Sequence, residues 1–175
     1  MVRKCLLIID VQVGMFQLSR PLYKGDILLD NIKSLLQKAR SEQVPLVYMQ
    51  HCGGQKGPFE KNSPGWNIHP SMYPSAQDDV IEKRYSDSFR DTTLELVLQQ
   101  LEINHIVVCG LVTEGCVDTT VRRASSLGYT LELASDGHST TDSTALKAEQ
   151  IIQHHNEVLK IFSEVKESKE IVFHS

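Results

Sequence analysis

The chain has 175 residues, 41% of them hydrophobic, which is enough for one substantial core and too few for two. A formal net charge of −4 with no basic stripe excludes a nucleic-acid-binding surface, and the interspersed signs exclude a polybasic membrane patch. The opening apolar run stops at Asp10, well short of a secretory segment, and no stretch reaches the ~18 apolar residues of a membrane span, so a soluble, cytoplasmic protein is expected.

Apolar runs and helical periods then alternate. Residues 4–10 are too apolar for a half-exposed strand and read as a buried one. From Gly25 to about Glu42, Leu28, Ile32, Leu35, Leu36 and Ala39 recur at helical spacing. Pro45 opens a second strand, Leu46-Val47-Tyr48-Met49. Residues 51–77 hold four of the six prolines and four glycines and form a long loop, a length that is uncommon in compact domains and often functional.

A short strand around Val80-Ile81 follows, then a helix from Thr92 to Gln100 and a buried strand, Ile106-Val107-Val108-Cys109. The next helix runs from Thr113 and stops at Gly128. Tyr129 to Ala134 is another strand. Thr141 to about Phe162 reads as a long helix capped by Thr141 or Asp142, and Glu170–Phe173 supplies a last strand. Strands separated by helices predict an α/β fold, a single-domain three-layer α/β/α sandwich over 1–175 with a mainly parallel sheet. Ligands of such sheets bind beyond the carboxyl ends of the strands. Asp10, the Gln50–Gln77 loop and the Gly110–Cys116 segment all fall at that edge.

Four cysteines occur, with no Cys-x-x-Cys pair and no zinc spacing. Cys5 and Cys109 lie in apolar runs and read as small buried residues; Cys52 sits in a polar loop with no assigned role. Cys116 lies between a strand end and a helix body, where first-turn N–H groups favour a thiolate, the nucleophilic form. From position alone, a merely packed thiol fits equally. Asp10 alone reads as a strand-terminal cap, and Lys83 alone as a solvated lysine. Their joint placement at one sheet edge favours a site.

Leu7-Ile8-Ile9-Asp10-Val11-Gln12 resembles the opening motif of the isochorismatase-like cysteine hydrolases, a family that includes nicotinamidases, carbamoylsarcosine amidases and streptothricin hydrolases. Trp66-Asn67-Ile68-His69-Pro70 is similar to the loop motif ahead of that family's lysine. The segment Lys83-Arg84-Tyr85-Ser86-Asp87-Ser88-Phe89-Arg90-Asp91-Thr92 resembles the lysine motif, and Gly110 through Val117 the cysteine motif. Asp136-Gly137-His138-Ser139-Thr140 resembles a later segment of the streptothricin-hydrolase-like members. The motifs come in family order and span roughly residues 5 to 160.

The resemblance implies a triad of Asp10, Lys83 and Cys116. In it Asp10 shuttles the proton of Cys116, Lys83 keeps Asp10 ionised, and the thiolate forms a thioester with an amide substrate. It implies an oxyanion hole from the backbone N–H groups of Thr113 and Cys116, and a cis peptide between Val112 and Thr113. Phe16, Trp66, His69, Tyr85 and Phe89 are candidates for the substrate pocket, although core packing explains Phe89 equally well. His154 and His155 read as structural or interfacial. Nicotinamidases of this family hold a divalent metal through an Asp-x-His pair after the second strand; here that place reads Met49-Gln50-His51, without the aspartate, so neither metal nor other cofactor is expected. A small-molecule amide and a homo-oligomer, dimer or tetramer, are the implied partners. The alternatives are an isochorismatase-type vinyl-ether hydrolase, which Cys116 disfavours, and a non-catalytic or redox-sensing protein that keeps the fold.

Overall fold

In a computed structural model, which describes residues 2–173, six strands form one parallel sheet in the order β3-β2-β1-β4-β5-β6. The strands are β1 (Lys4–Ile9), β2 (Leu46–His51), β3 (Asp79–Lys83), β4 (His105–Leu111), β5 (Thr130–Ser139) and β6 (Glu164–Lys166). The helices are α1 (Gly25–Ser41), α2 (Leu94–Gln100), α3 (Asp118–Ser126) and α4 (Ala148–Leu159). No helix among the described residues is long and apolar enough to cross a membrane.

Strand alternation sorts the side chains into two layers. Leu6 and Ile8 of β1, Tyr48 of β2 and Val107 of β4 pack against Leu28, Ile32, Leu35 and Leu36 of α1. Cys5, Leu7 and Ile9 point the other way, into a second cluster with Leu94 and Leu98 of α2, Val121 and Ala124 of α3, and Leu159 of α4. Both faces are therefore covered, which is why these strands read as continuous apolar runs rather than as alternating ones.

Besides α3, which starts at Asp118 rather than Thr113 after an intervening wide turn, three elements differ from the sequence expectation. The helix expected from Thr141 begins at Ala148. Asp142 does cap it, since its Oδ1 accepts the Ala148 N–H at 2.9 Å, but from six residues away. Between them Ser143 Oγ accepts from the Ala145 and Leu146 N–H groups and closes a turn. The last strand is Glu164–Lys166, paired with Glu132, Leu133 and Ala134 of β5, and not Glu170–Phe173. In that tail Ile171 and Phe173 alternate inward to pack beside α1, while the carbonyls of Ile171 and Val172 accept from the Lys38 and Lys4 ammonium groups instead of from a strand. Finally, β5 runs five residues beyond Ala134, past an irregularity in its register with β4, and pairs Gly110 with His138 and Leu111 with Ser139.

The close approach of β1 and β4 depends on Gly110. Its φ is +127°, and a β-carbon there would lie 2.1 Å from the Ile9 carbonyl oxygen, so no other residue fits. That contact brings the ends of β1 and β4 together, one residue before Asp10 on one side and just before the Cys116 turn on the other.

Candidate active site

Asp10 follows β1 in the left-handed region, φ 52°, which Asp tolerates better than most residues. Its N–H donates to the Met49 carbonyl at 3.0 Å, fixing it beside the end of β2. The side chain is fully buried, and neither carboxylate oxygen takes a conventional hydrogen bond from the backbone. What it meets is the Lys83 ammonium, 2.7 Å away and equally buried. The alternation that turns Ile81 into the core also turns Lys83 inward, two residues on along β3. Lys83 Nζ donates in addition to the Tyr85 carbonyl at 3.1 Å.

Cys116 sits in a wide turn, Thr113–Val117, between β4 and α3, with hydrogen-bonding contact to both Asp10 and Lys83. Three side chains remote in sequence thus meet around one sulfur. Burial raises the Asp10 carboxyl above the usual carboxylate range, against the opposing pull of Lys83 and Cys116. Burial by itself would weaken Lys83 as a base, but the charges beside it more than compensate and hold it protonated. Burial, and then the Asp10 carboxylate, push the Cys116 thiol up to about 11, the Lys83 ammonium acting the other way. The lowered thiol pKa expected from a helix N-terminus is therefore corrected. Desolvation outweighs the turn, and α3 itself starts only at Asp118, two residues beyond the sulfur. The balance of burial and Asp10 against Lys83 favours the neutral thiol at Cys116.

The cis peptide also moves. It joins Leu111 to Val112, one bond before the expected Val112–Thr113 position. Strand β4 continues to Leu111, so the chain leaves the sheet at Val112. The Val112 carbonyl accepts from both the Gly115 and Val117 N–H groups, which closes the turn.

The predicted pocket residues divide. Phe16 and His69 come together, ring centroids 4.8 Å apart, where the His69 N–H donates to the Val11 carbonyl just after β1. Trp66 is half-buried, its indole N–H pointing at Cys52 Sγ at 3.2 Å. Tyr85 is exposed under the Arg90 guanidinium, 3.8 Å from its ring centre. A cavity of about 390 Å³ opens beside it, lined by Cys52, Glu82, Lys83, Arg84, Tyr85 and Asp91. Phe89 is corrected to a core residue, buried in the α2–α3 layer and stacked on Tyr129, because it lies at the entry to α2 on the face that carries Leu94.

Gln12 is a residue whose role the sequence did not disclose. Fully buried, it donates from Nε2 to the His51 and Trp66 carbonyls at 3.0 and 2.7 Å, and accepts the His51 N–H at 2.9 Å through Oε1. It pins both ends of the 51–66 loop to the turn after Asp10. A single glutamine after a strand end carries no signal of such a clamp. His51 itself faces Asp10 and Lys83, and burial holds its pKa below the ordinary value. No group of three or more His, Cys, Asp or Glu side chains among the described residues is placed to hold a metal ion.

His138, whose role was open, is buried on β5. Its Nδ1 lies 2.9 Å from Thr113 Oγ1 and its Nε2 2.9 Å from Asn156 Oδ1. His155 is tied to its own helix through the Ile151 carbonyl and packs edge-on against His154.

Residues 4–163 match the family model described as the isochorismatase domain. The chain belongs to the isochorismatase family. Isochorismatase-family relatives include a streptothricin hydrolase of Streptomyces noursei, 31% identical over 79% of this chain and 50% of that protein. They also include YddQ of Bacillus subtilis, an uncharacterized family protein 33% identical over 78% of this chain and 77% of its own length. The chain spans about half the length of the streptothricin hydrolases it matches. Among solved structures, an isochorismatase from Pseudomonas putida superposes with a TM-score of 0.92 at 31% identity, covering 97% of this chain and 90% of that one. The isochorismatase-family fold is thus shared almost end to end.

Proposed function

We propose that this chain is a cysteine-dependent, metal-independent amidohydrolase that cleaves a small carboxamide or lactam through a thioester. The observation that carries the reading is the buried Asp10–Lys83 pair at 2.7 Å with the Cys116 thiol against both groups. A streptothricin hydrolase among the relatives supports hydrolytic chemistry.

The electrostatics assign the roles. A thiol near 11 does not ionise unaided at neutral pH, so its proton leaves only as a base receives it. Asp10 is that base, and the burial that raises its pKa makes it a stronger one. Lys83 keeps Asp10 ionised before the substrate arrives. As the proton passes to Asp10, sulfur attacks the amide carbonyl. The oxyanion is received by the N–H groups of Thr113 and Cys116, donors in the first turn of a helical segment that lack intrahelical acceptors. Asp10 then protonates the departing amine or ammonia, and afterwards takes a proton from the water that hydrolyses the thioester. Phe16, Trp66 and His69, gathered by the Gln12 clamp, form the substrate wall in this reading, and Tyr85 borders the cavity beside Lys83.

A resting neutral thiol gives little support to a peroxide-sensing role, which needs a standing thiolate. The test is ammonia release from a panel of small amides and lactams, with wild type beside Cys116→Ala. Release confined to wild type is expected; release that survives the substitution overturns thiolate catalysis. Light scattering on the same preparation checks the dimer or tetramer that accompanies this reading.

A further inference from the structure

We propose that His138 is a positioning residue for the Cys116 turn, acting through Thr113 as a fixed hydrogen-bond acceptor. The inference rests on the reading of that turn as the oxyanion-binding segment, and it concerns what holds the turn still. Strand β5 lies beside the last residues of β4, with Gly110 opposite His138 and Leu111 opposite Ser139, so its end runs alongside the turn. From there His138, and Thr140 just past the strand, reach across to the turn. His138 Nδ1 reaches the Thr113 hydroxyl at 2.9 Å, and the Thr140 hydroxyl donates to Glu114 Oε1 at 2.8 Å. Thr113 and His138 are buried, at 0% and 3% exposure, so their contact does not compete with water, whereas Thr140, also buried, meets a Glu114 that is itself exposed.

The direction of each hydrogen bond in the relay follows from its far end. Asn156 Nδ2 donates to the Ser135 carbonyl at 3.1 Å, which turns its amide oxygen toward His138. An oxygen at 2.9 Å requires a proton on His138 Nε2. The neutral ring then has a lone pair at Nδ1, so the Thr113 hydroxyl donates to it. Burial favours this neutral form and outweighs the Asn156 hydrogen bond, with His155 on α4 acting in the same direction as burial and Asp136 on β5 opposing it. The Thr113 rotamer is thus set by a ring nitrogen, Nδ1, that can only accept, and with it the first residue of the turn. Nothing in the proton transfer between Cys116 and Asp10 uses His138; its contribution is the rigidity of the donors that face the oxyanion.

The test compares wild type, His138→Leu and the milder Asn156→Ala, in which only the acceptor for Nε2–H is lost. Amide hydrogen exchange reads the turn, at Gly115 and Val117 whose N–H groups donate to the Val112 carbonyl, against the centre of β1 (Leu6–Ile9). In His138→Leu the turn amides are expected to exchange roughly tenfold faster, the worth of about one hydrogen bond, with β1 unchanged. In Asn156→Ala the increase is smaller, and two-bond proton–nitrogen correlation shows the Nδ1–H tautomer gaining population. Unchanged exchange in the turn, equal acceleration in β1, or an Nδ1–H tautomer in wild type overturns the proposal. Steady-state kinetics with the amide panel adds a second arm: kcat falls while KM and the iodoacetamide rate at Cys116 hold. If wild type hydrolyses no amide, the proposed function fails while exchange still decides what His138 does.

Discussion

Replacing Lys83 by Met removes the charge that faces Asp10 and keeps most of the volume. At 2.7 Å with both side chains inaccessible, an effective dielectric of about 20 gives roughly 6 kcal/mol of attraction between the two charges. Part of that offsets the cost of burying them. The measured loss for breaking a buried pair from one side is about 3–5 kcal/mol, because an uncompensated carboxylate stays behind. The Tyr85 carbonyl loses its donor as well.

The loss depends on pH, and its sign follows from Asp10. A carboxyl whose folded-state pKa lies above its unfolded value holds its proton more firmly in the folded chain. It therefore favours folding at low pH and ceases to do so as pH rises through the folded value. Removing Lys83 raises that value further, so Lys83→Met is expected to lose more stability at pH 8 than at pH 5. Urea denaturation followed by circular dichroism and by the fluorescence of the single tryptophan, Trp66, measures both. Adding Asp10→Asn to Lys83→Met restores much of the loss, since no charge is then left unpaired. A cost below about 1 kcal/mol at pH 8, or one independent of pH, refutes the account of the pair as buried and mutually dependent.

Gly110→Ala places a β-carbon 2.1 Å from the Ile9 carbonyl at a φ of +127°. The expected result is a loss of about 4 kcal/mol or more, or insoluble protein, read by thermal melting; a near-native melting temperature contradicts the contact between β1 and β4. Alkylation of Cys116 by iodoacetamide, corrected with Cys116→Ala for reaction at Cys52, is expected to climb about tenfold per pH unit from pH 7 to 10. The reason is the thiol's high pKa, about 11, and a plateau below pH 9 rules that pKa out. Gln12→Ala leaves the His51 carbonyl without its side-chain donor, costs about 1–3 kcal/mol, and speeds proteolysis within residues 53–65; unchanged cleavage removes Gln12 from its role as the loop's clamp.

The sheet was legible because burial on both faces writes itself as unbroken apolar runs, and β1, β2 and β4 were placed from those runs alone. Where alternation served packing rather than pairing, as at Ile171 and Phe173, the same pattern suggested a strand that does not form. The start of α4 was misplaced for a related reason. Asp142 is a genuine cap, but a side chain that reaches over an intervening turn looks in sequence like one at the helix boundary. Asp10, Lys83 and Cys116 were legible as a set through their motifs, while the protonation of Cys116 was not. A first-turn position argues for a thiolate, and only the depth of burial, a property of the folded molecule, reverses the sign. Gln12 and the His138–Asn156 pair were invisible for another reason, since polar residues that hold loops and turns follow no period.

The three side chains hang from strands of unequal security. Asp10 and Cys116 extend from β1 and β4, the inner pair, whereas Lys83 ends β3, a five-residue strand hydrogen-bonded to β2 alone at the margin of the sheet. Marginal elements with few neighbours open at lower free energy than the centre. Fraying of β3 would carry the ammonium away from Asp10 while the sulfur and the carboxylate stayed in register, leaving a chain still largely native yet without the cation that the proposed mechanism requires. Tolerance to heat or denaturant, in the sense that matters to a cell, is on this view governed by five peripheral residues rather than by the core beneath them.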